Sequence, residues 1–149
     1  MSRTKVSKSQ LLTCQVNDQW MALPVEFLSE VVTPQPRTEV PLALDSVNGL
    51  INLRGKILTE LDMREILKLP PRENADQYRT IILECGDGEG YGLTVDSVSE
   101  VIDTKAENFE STPDSLSECW KGVCHGVLKQ DNRILIMLDV EKVIASSMP

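Results

Sequence analysis

The sequence predicts an all-β protein made of two similar small barrel lobes that share one apolar core, with only short helical turns. Three observations carry that prediction. Apolar residues come in short runs separated by Gly, Pro, Asn and Asp, which is the punctuation of strands and tight turns. Aromatic residues make up only 4% of the 149 positions, so a core has to be assembled from Val, Leu and Ile. The chain also repeats itself. Residues 22–32 match residues 92–102 without a gap, Gly49 finds a counterpart in Gly122, and residues 61–67 find theirs in 138–144. Half of this chain buries too little surface to be stable alone, so two lobes joined along an apolar seam are the economical solution. On that reading Leu23 and Leu93 occupy equivalent core positions, as do Val25 and Val95. The domain is a single unit over residues 10–146. Its lobes run roughly over 10–69 and 77–146, with room for strands to be exchanged between them.

Residues 1–9 read as a disordered polar tail. Leu11 to Val16 is a strand, Asn17-Asp18 a tight turn, and Trp20 to Leu23 the returning strand. Pro24 ends it, Val25 to Leu28 make a helical turn, and extended structure resumes at Glu30. Pro34, Pro36 and Pro41 keep the next segment irregular. A central hairpin follows, with apolar runs at Leu50, Ile51, Leu53 and at Ile57, Leu58, Leu61 around an Arg54-Gly55 turn. Gly49 and Gly55 bracket its first strand, as expected where the backbone turns tightly or another segment passes close. Asp62 sits at a helix N-cap, with Glu65 placed to complete a capping box. Residues 70–76 form a proline-marked linker. Tyr78 to Cys85 is a strand buried on both faces, Gly86 to Gly90 a hairpin loop, and Tyr91 to Val95 the return. Strands are expected at 98–102, 122–128 and 134–138, before Asp139 caps a last short helix through Ala145.

The formal charge of −8 argues against nucleic acid and anionic membrane surfaces as partners. The basic start, residues 1–8, has no apolar segment after it, and no run approaches the ~20 apolar residues of a membrane span. A soluble, cytoplasmic protein with no membrane insertion is expected. Cys14, Cys85, Cys119 and Cys124 lack zinc-like spacing even with His125 beside them, so neither a disulfide framework nor a structural metal is expected. His125, the sole histidine, reads as structural or surface, and no catalytic pair is offered. The Gly86–Gly90 loop carries Asp87 and Glu89, which would repel phosphate, and a strand rather than a helix follows it. Calcium binding by Asp87, Glu89 and Asp96 fails on spacing. No enzyme and no cofactor is expected; the residues suit a binding module. Its candidate residues are the polar ones inside apolar patterns, above all Asn52 and Arg54. Arg54 either snorkels from the hairpin end or aims its five-donor fork at a carboxylate.

The stretch Val47 to Arg64 closely resembles the signature of the CheW family of chemotaxis coupling proteins, roughly v-x-G-v-x-N-L-R-G-x-i-l-P-V-x-D-L-R. Gly49, Asn52, Leu53, Arg54, Gly55, Ile57, Asp62 and Arg64 fall in register. Residues 92–102 are similar to the family's G-l-x-V-D-x-V-x-E-V, Trp120–Val123 to its v-x-G-v, and Leu138–Lys142 to its closing l-D-l-e-k, so the resemblance spans about Leu11 to Ala145. It implies two SH3-like five-stranded barrels and no enzymatic activity. The implied partners are the cytoplasmic tip of a methyl-accepting chemoreceptor and the regulatory domain of a CheA-type histidine kinase, in an array associated with the membrane. It places Glu30 as the partner of Arg54, beside a receptor-binding groove of Val25, Leu28, Glu30, Arg54, Thr80 and Val98. The kinase contact is expected at exposed strand edges. Departures stand at Thr59 and Glu60, where the family has Pro and an apolar residue, and at Trp20-Met21-Ala22, which replaces an aromatic-glycine pair. They fit a coupling protein of a divergent array that serves twitching, second-messenger or another chemosensory output. A separate alternative is a CheW-like regulatory protein that binds receptors without coupling a kinase.

Overall fold

The computed structural model describes residues 10–85, 88–104, 109–130 and 132–147; the expected tail at 1–9 and the loop residues Gly86 and Asp87 lie outside them. Twelve strands are described: β1 Gln10–Val16, β2 Gln19–Pro24, β3 Leu28–Val32, β4 Arg37–Thr38, β5 Val47–Leu53, β6 Lys56–Asp62, β7 Arg79–Glu84, β8 Gly90–Val95, β9 Ser97–Asp103, β10 Phe109–Glu110, β11 Cys124–Gln130 and β12 Arg133–Leu138. A 3-10 turn spans Val25–Phe27, and the helices are α1 Met63–Ile66, α2 Glu118–Lys121 and α3 Val140–Ala145. The all-β class and the scarcity of helix are as expected.

The strands form two six-stranded sheets, one more strand each than expected. One, the central lobe, runs β3-β7-β8-β6-β5-β4; the other, the terminal lobe, runs β10-β11-β12-β2-β1-β9. Among the described residues hydrogen bonding does not close either sheet: β3 and β4 are the edges of the first, β10 and β9 of the second. The extra strands are explained by β4 and β10, two residues each, which pair with β5 and β11. Pro34 and Pro36 leave too little regular backbone before β4 for the sequence to announce it.

The division between lobes is not sequential. The repeats have exchanged their hairpins. β1–β2 leaves its own repeat to join β9 to β12, and β7–β8 joins β3 to β6. Each transplanted hairpin is received by one parallel pairing, β2 on β12 and β8 on β6. The crossings occur at the 3-10 turn before β3 and at Asp96 before β9.

The repeat is also more regular than the sequence alignment suggested. Gly49 has φ of +146°, and a Cβ there would lie 2.5 Å from the Thr38 carbonyl oxygen. Gly126 has φ of +144° and the same conflict, 2.7 Å, with the Glu110 carbonyl oxygen. Each glycine therefore lets a two-residue strand cross over it. The counterpart of Gly49 is thus Gly126, and Gly122 instead follows α2 as its C-cap.

Packing follows the exchange. The largest apolar cluster takes Leu12, Cys14, Val16 and Leu23 from the terminal lobe and Leu61, Ile81, Leu83, Leu93 and Val95 from the central one, with α1 and α3 contributing Met63, Val140, Val143 and Ile144. Each lobe retains only a minor cluster of its own: Leu11, Ala22, Ile102, Leu128, Leu135 and Met137 in one, Ile51, Leu58 and Ile82 in the other. Burial in the seam pushes the Cys14 thiol up to about 12. Leu23 and Leu93 are both fully buried, as equivalence requires, but Val25 is half-buried where Val95 is buried. The cause is local, because Val25 has left its strand for the 3-10 turn while Val95 still ends β8. At α1 the Asp62 carboxylate accepts from the Arg64 N–H, but the capping box does not form: the Asp62 N–H donates to the Ser46 carbonyl, so Glu65 has nothing to return to.

The central lobe contains one charge where its twin has none. Glu60, on β6, is fully buried, and Met137 holds the matching place on β12. The carboxylate accepts from Arg37 Nε at 2.8 Å, Thr80 Oγ1 at 3.1 Å and Asn48 Nδ2 at 3.4 Å. Removing a partner from a buried charge costs far more than replacing the charge with a fitting apolar group. Arg37→Ala should therefore lower stability by about 3 kcal/mol, whereas Glu60→Met should change it by about 1 kcal/mol or less, since Arg37 is one-third exposed and still donates to the Tyr78 hydroxyl. Urea unfolding of both variants checks the order; a costlier Glu60→Met would show that the apolar replacement does not fit.

Candidate functional site

The tip of the β5–β6 hairpin is a two-residue turn in which Arg54 (φ +51°) and Gly55 (φ +87°) both adopt left-handed conformations. That suits the right-handed twist of the strands but is unfavourable for an arginine. Asn52 compensates: its side-chain oxygen accepts from the Gly55 N–H at 2.9 Å. The polar pair of the hairpin is thus explained as a turn that fixes the backbone and a fork that this backbone presents. Arg54 Nη2 donates to Glu30 Oε2 on β3, with 69% of the arginine side chain and 32% of the glutamate side chain exposed. Lys56 and Glu84 form a second pair nearby at 3.4 Å. These charges rim a cleft of about 230 Å³ whose apolar lining includes Leu53, Leu58 and Ile82.

Of the six expected groove residues, the structure brings Glu30 and Arg54 together in this cleft. Leu28 and Val98 are half-buried and pack on the seam, at the starts of the two strands that follow the lobe crossings. Val25 is half-buried in the turn before β3. Thr80 requires a correction. It is completely buried, paired in β7 with Val32 of β3 and bonded to Glu60, so it supports the wall from inside and does not line a surface. The departure at Glu60 is answered in the same place, because the charge meets a basic group, Arg37, within the lobe. His125 is half-exposed, with Nδ1 3.7 Å from the Asp139 carboxylate that caps α3.

A second cluster was not anticipated, although both residues at its centre stand in the quoted motifs. Arg64 grips Asp96 with two bonds, Nε to Oδ1 at 3.0 Å and Nη2 to Oδ2 at 2.7 Å, and its Nη1 donates to the Pro70 carbonyl at 2.6 Å. Asp96 Oδ2 also accepts from the Asn17 N–H at 2.8 Å, and the Asp96 N–H donates to the Gln15 carbonyl. One carboxylate therefore ties the β1–β2 hairpin, α1 and the crossing into β9. Arg72 lies within ion-pair distance of it, 3.0 Å, without the alignment to donate, and rests over the Tyr78 ring. Burial pushes the Tyr78 hydroxyl up, helped by the charge of Glu60. For Asp96, burial alone would raise the carboxyl. The bonds from Arg64 and Asn17 and the two arginine charges outweigh it and hold the group below the usual carboxylate range.

A carboxyl depressed in the folded state contributes stability above its ordinary pKa and loses it as pH falls through the folded value. Asp96→Asn should therefore cost about 3 kcal/mol at pH 7, where it leaves the largely buried Arg64 without its ion-pair partner and Arg72 with only the Asp62 carboxylate, 3.9 Å away. The gap between variant and wild type should narrow as pH drops below about 4. Denaturant titrations at several pH values check this; a gap independent of pH would mean that the charge of Asp96 is not what holds the cluster.

No helix among the described residues is long and apolar enough to cross a membrane. Comparison with known proteins agrees with the geometry. The family model described as the CheW-like domain matches residues 10–148. The chemotaxis protein CheW of Bacillus subtilis is 30% identical over 135 residues, covering 91% of this chain and 86% of that protein. That of Treponema pallidum is 28% identical over 141 residues, covering 92% and 82%. Among solved structures, the crystal structure of the scaffolding protein TtCheW from Thermoanaerobacter tengcongensis superimposes with a TM-score of 0.79 at 26% identity, covering 89% of each chain. Two β lobes on a shared seam, the Asn52-Leu53-Arg54-Gly55 turn and a match over nearly the whole described chain give one conclusion: this protein belongs to the CheW-like domain family.

Proposed function

We propose that this chain is a non-enzymatic adaptor that couples methyl-accepting chemoreceptors to a CheA-type histidine kinase in a chemosensory array. The observation that carries the reading is the Glu30–Arg54 pair at the rim of a charged cleft with Leu53, Leu58 and Ile82 in its lining, set on a turn whose backbone is fixed by Asn52. An amphipathic helix docks through an apolar stripe, and a charged pair beside it sets orientation. The receptor's cytoplasmic tip is the partner assigned to this rim, and Leu28 and Val98, which pack on the seam, are assigned as further contacts. The kinase regulatory domain is assigned to strand edges away from it. Relatives that carry chemotaxis and scaffolding names support the adaptor role and a cytoplasmic place beside membrane-bound receptors. Glu60, one of the departures that suggested a different output, is satisfied inside its own lobe, so it lends no weight to that alternative.

Arg54→Ala separates this role from a structural one. The pair is largely solvated, so its loss should lower stability by about 1 kcal/mol or less. Docking a helix over the rim would desolvate the abandoned Glu30, and receptor binding should weaken by ~2 kcal/mol, about thirtyfold. Affinity for the kinase regulatory domain should be nearly unchanged. Titrations against a receptor cytoplasmic fragment and the kinase domain, with thermal melts, decide it. Equal weakening toward both, accompanied by a large drop in melting temperature, would make Arg54 a structural residue.

A further inference from the structure

Toward the opposite end of the β5–β6 hairpin lies an apolar groove of about 410 Å³ that the proposed coupling role does not use. Its floor is Val47, Leu50, Thr59 and Leu61, and its wall is the loop Val40 to Leu44, with Ser147 closing one side. The internal repeat shows how the same surface is treated in the other lobe. Val47 pairs with Leu61 and Leu50 with Thr59 in the central lobe; Cys124 pairs with Leu138 and Val127 with Ile136 in the terminal lobe. These are the same four positions. In the terminal lobe all four are buried, within a cluster against which Leu116, Cys119 and Trp120, in and just before α2, are packed. In the central lobe only Leu61 is buried, and Val47, Leu50 and Thr59 are half-exposed. The chain accounts for the difference. Residues 111–123 connect β10 to β11 and include α2, whereas only residues 39–46 connect β4 to β5, with no helix.

We propose that this groove is a docking site for a partner's amphipathic helix bearing two large apolar side chains four residues apart, as Leu116 and Trp120 are, with basic residues beside them. The apolar pair follows from the segment that covers the equivalent floor, where Leu116 lies in the bend before α2 and Trp120 within α2. On one continuous helix a four-residue spacing puts both side chains on the face that fills a groove. The basic flank follows from Glu39 and Asp45, both exposed at the ends of the wall and neither in an ion pair among the described residues. The overall charge of −8 adds to that preference. The wall itself is shaped to meet something. Leu42 is fully exposed and holds a left-handed φ of +64°, a conformation that costs a leucine free energy. Leu44 and Val40 beside it are exposed as well.

The test titrates the full chain with a fluorescein-labelled, lactam-bridged helical peptide carrying Leu and Trp four residues apart and flanking lysines. Anisotropy gives affinity, and amide chemical shifts give location. Saturable binding is expected, with shifts centred on residues 40–50 and 59–61. The double variant Leu42→Glu, Leu44→Glu should bind about tenfold more weakly or worse, and a peptide with glutamates in place of the lysines about threefold more weakly. Both leucines are exposed, so the melting temperature of the double variant should match wild type. Arg54→Ala should bind the peptide normally, which keeps this site distinct from the receptor rim. Absence of saturable binding, equal affinity for the double variant, or shifts centred elsewhere would overturn the proposal. Concentration-dependent self-association abolished by the same double variant would overturn it too, by assigning the groove to a second copy of the chain.

Discussion

The seam between the lobes is the constraint on which everything else depends. Neither lobe holds a core of useful size by itself: the central lobe encloses Ile51, Leu58 and Ile82 around a buried glutamate, and the terminal lobe not much more. The large cluster is made where the two meet, from strands, α1 and α3 of both repeats. Burial of apolar area is the main favourable term in folding, so most of the stability of each lobe resides in its contact with the other. Exchange of the hairpins reinforces this. A lobe that separated would lose a strand pair, not only a face.

Polar residues then hold the exchange in register. Asp96 sits at one crossing and is gripped by Arg64 from the first repeat and by the Asn17 N–H of the transplanted hairpin. Glu60 plays a related part inside the central lobe, where its bonds to Arg37 and Thr80 connect β6 with β7 and with the short β4 at the sheet edge. Buried charges of this kind add little net stability, but they penalise any arrangement that leaves them unpaired. The rim of the cleft rests on the same framework, because β3 is positioned by its pairing with β7, and the hairpin that carries Arg54 is positioned by its pairing with β8.

Most strands were legible because turn residues bound short apolar runs. The repeat was legible at Leu23 and Leu93 because both lie mid-strand, and it misled at Val25 because the 3-10 turn breaks equivalence where the chain changes lobes. Gly122 was mistaken for the partner of Gly49 because the sequence does not reveal that two-residue strands cross above Gly49 and Gly126. The Glu30–Arg54 pairing came from resemblance, with no local signal in the sequence for it. Thr80 was placed on a surface for the same reason, although it lies inside an apolar run buried on both faces. The Arg64–Asp96 contact joins residues far apart in the chain, and only the folded geometry makes them neighbours.

Native-state hydrogen exchange across a denaturant series tests the central claim most directly. If the seam is the common core, amides in the middle of β1 and β2 and those of β7 and β8 should open together, with the same free energy and the same denaturant dependence, in one global event. The two sheets should be indistinguishable by protection. If instead one sheet opens as a separate unit, more than about 2 kcal/mol below the other, each lobe has a core sufficient for itself and the seam is not what holds the fold together.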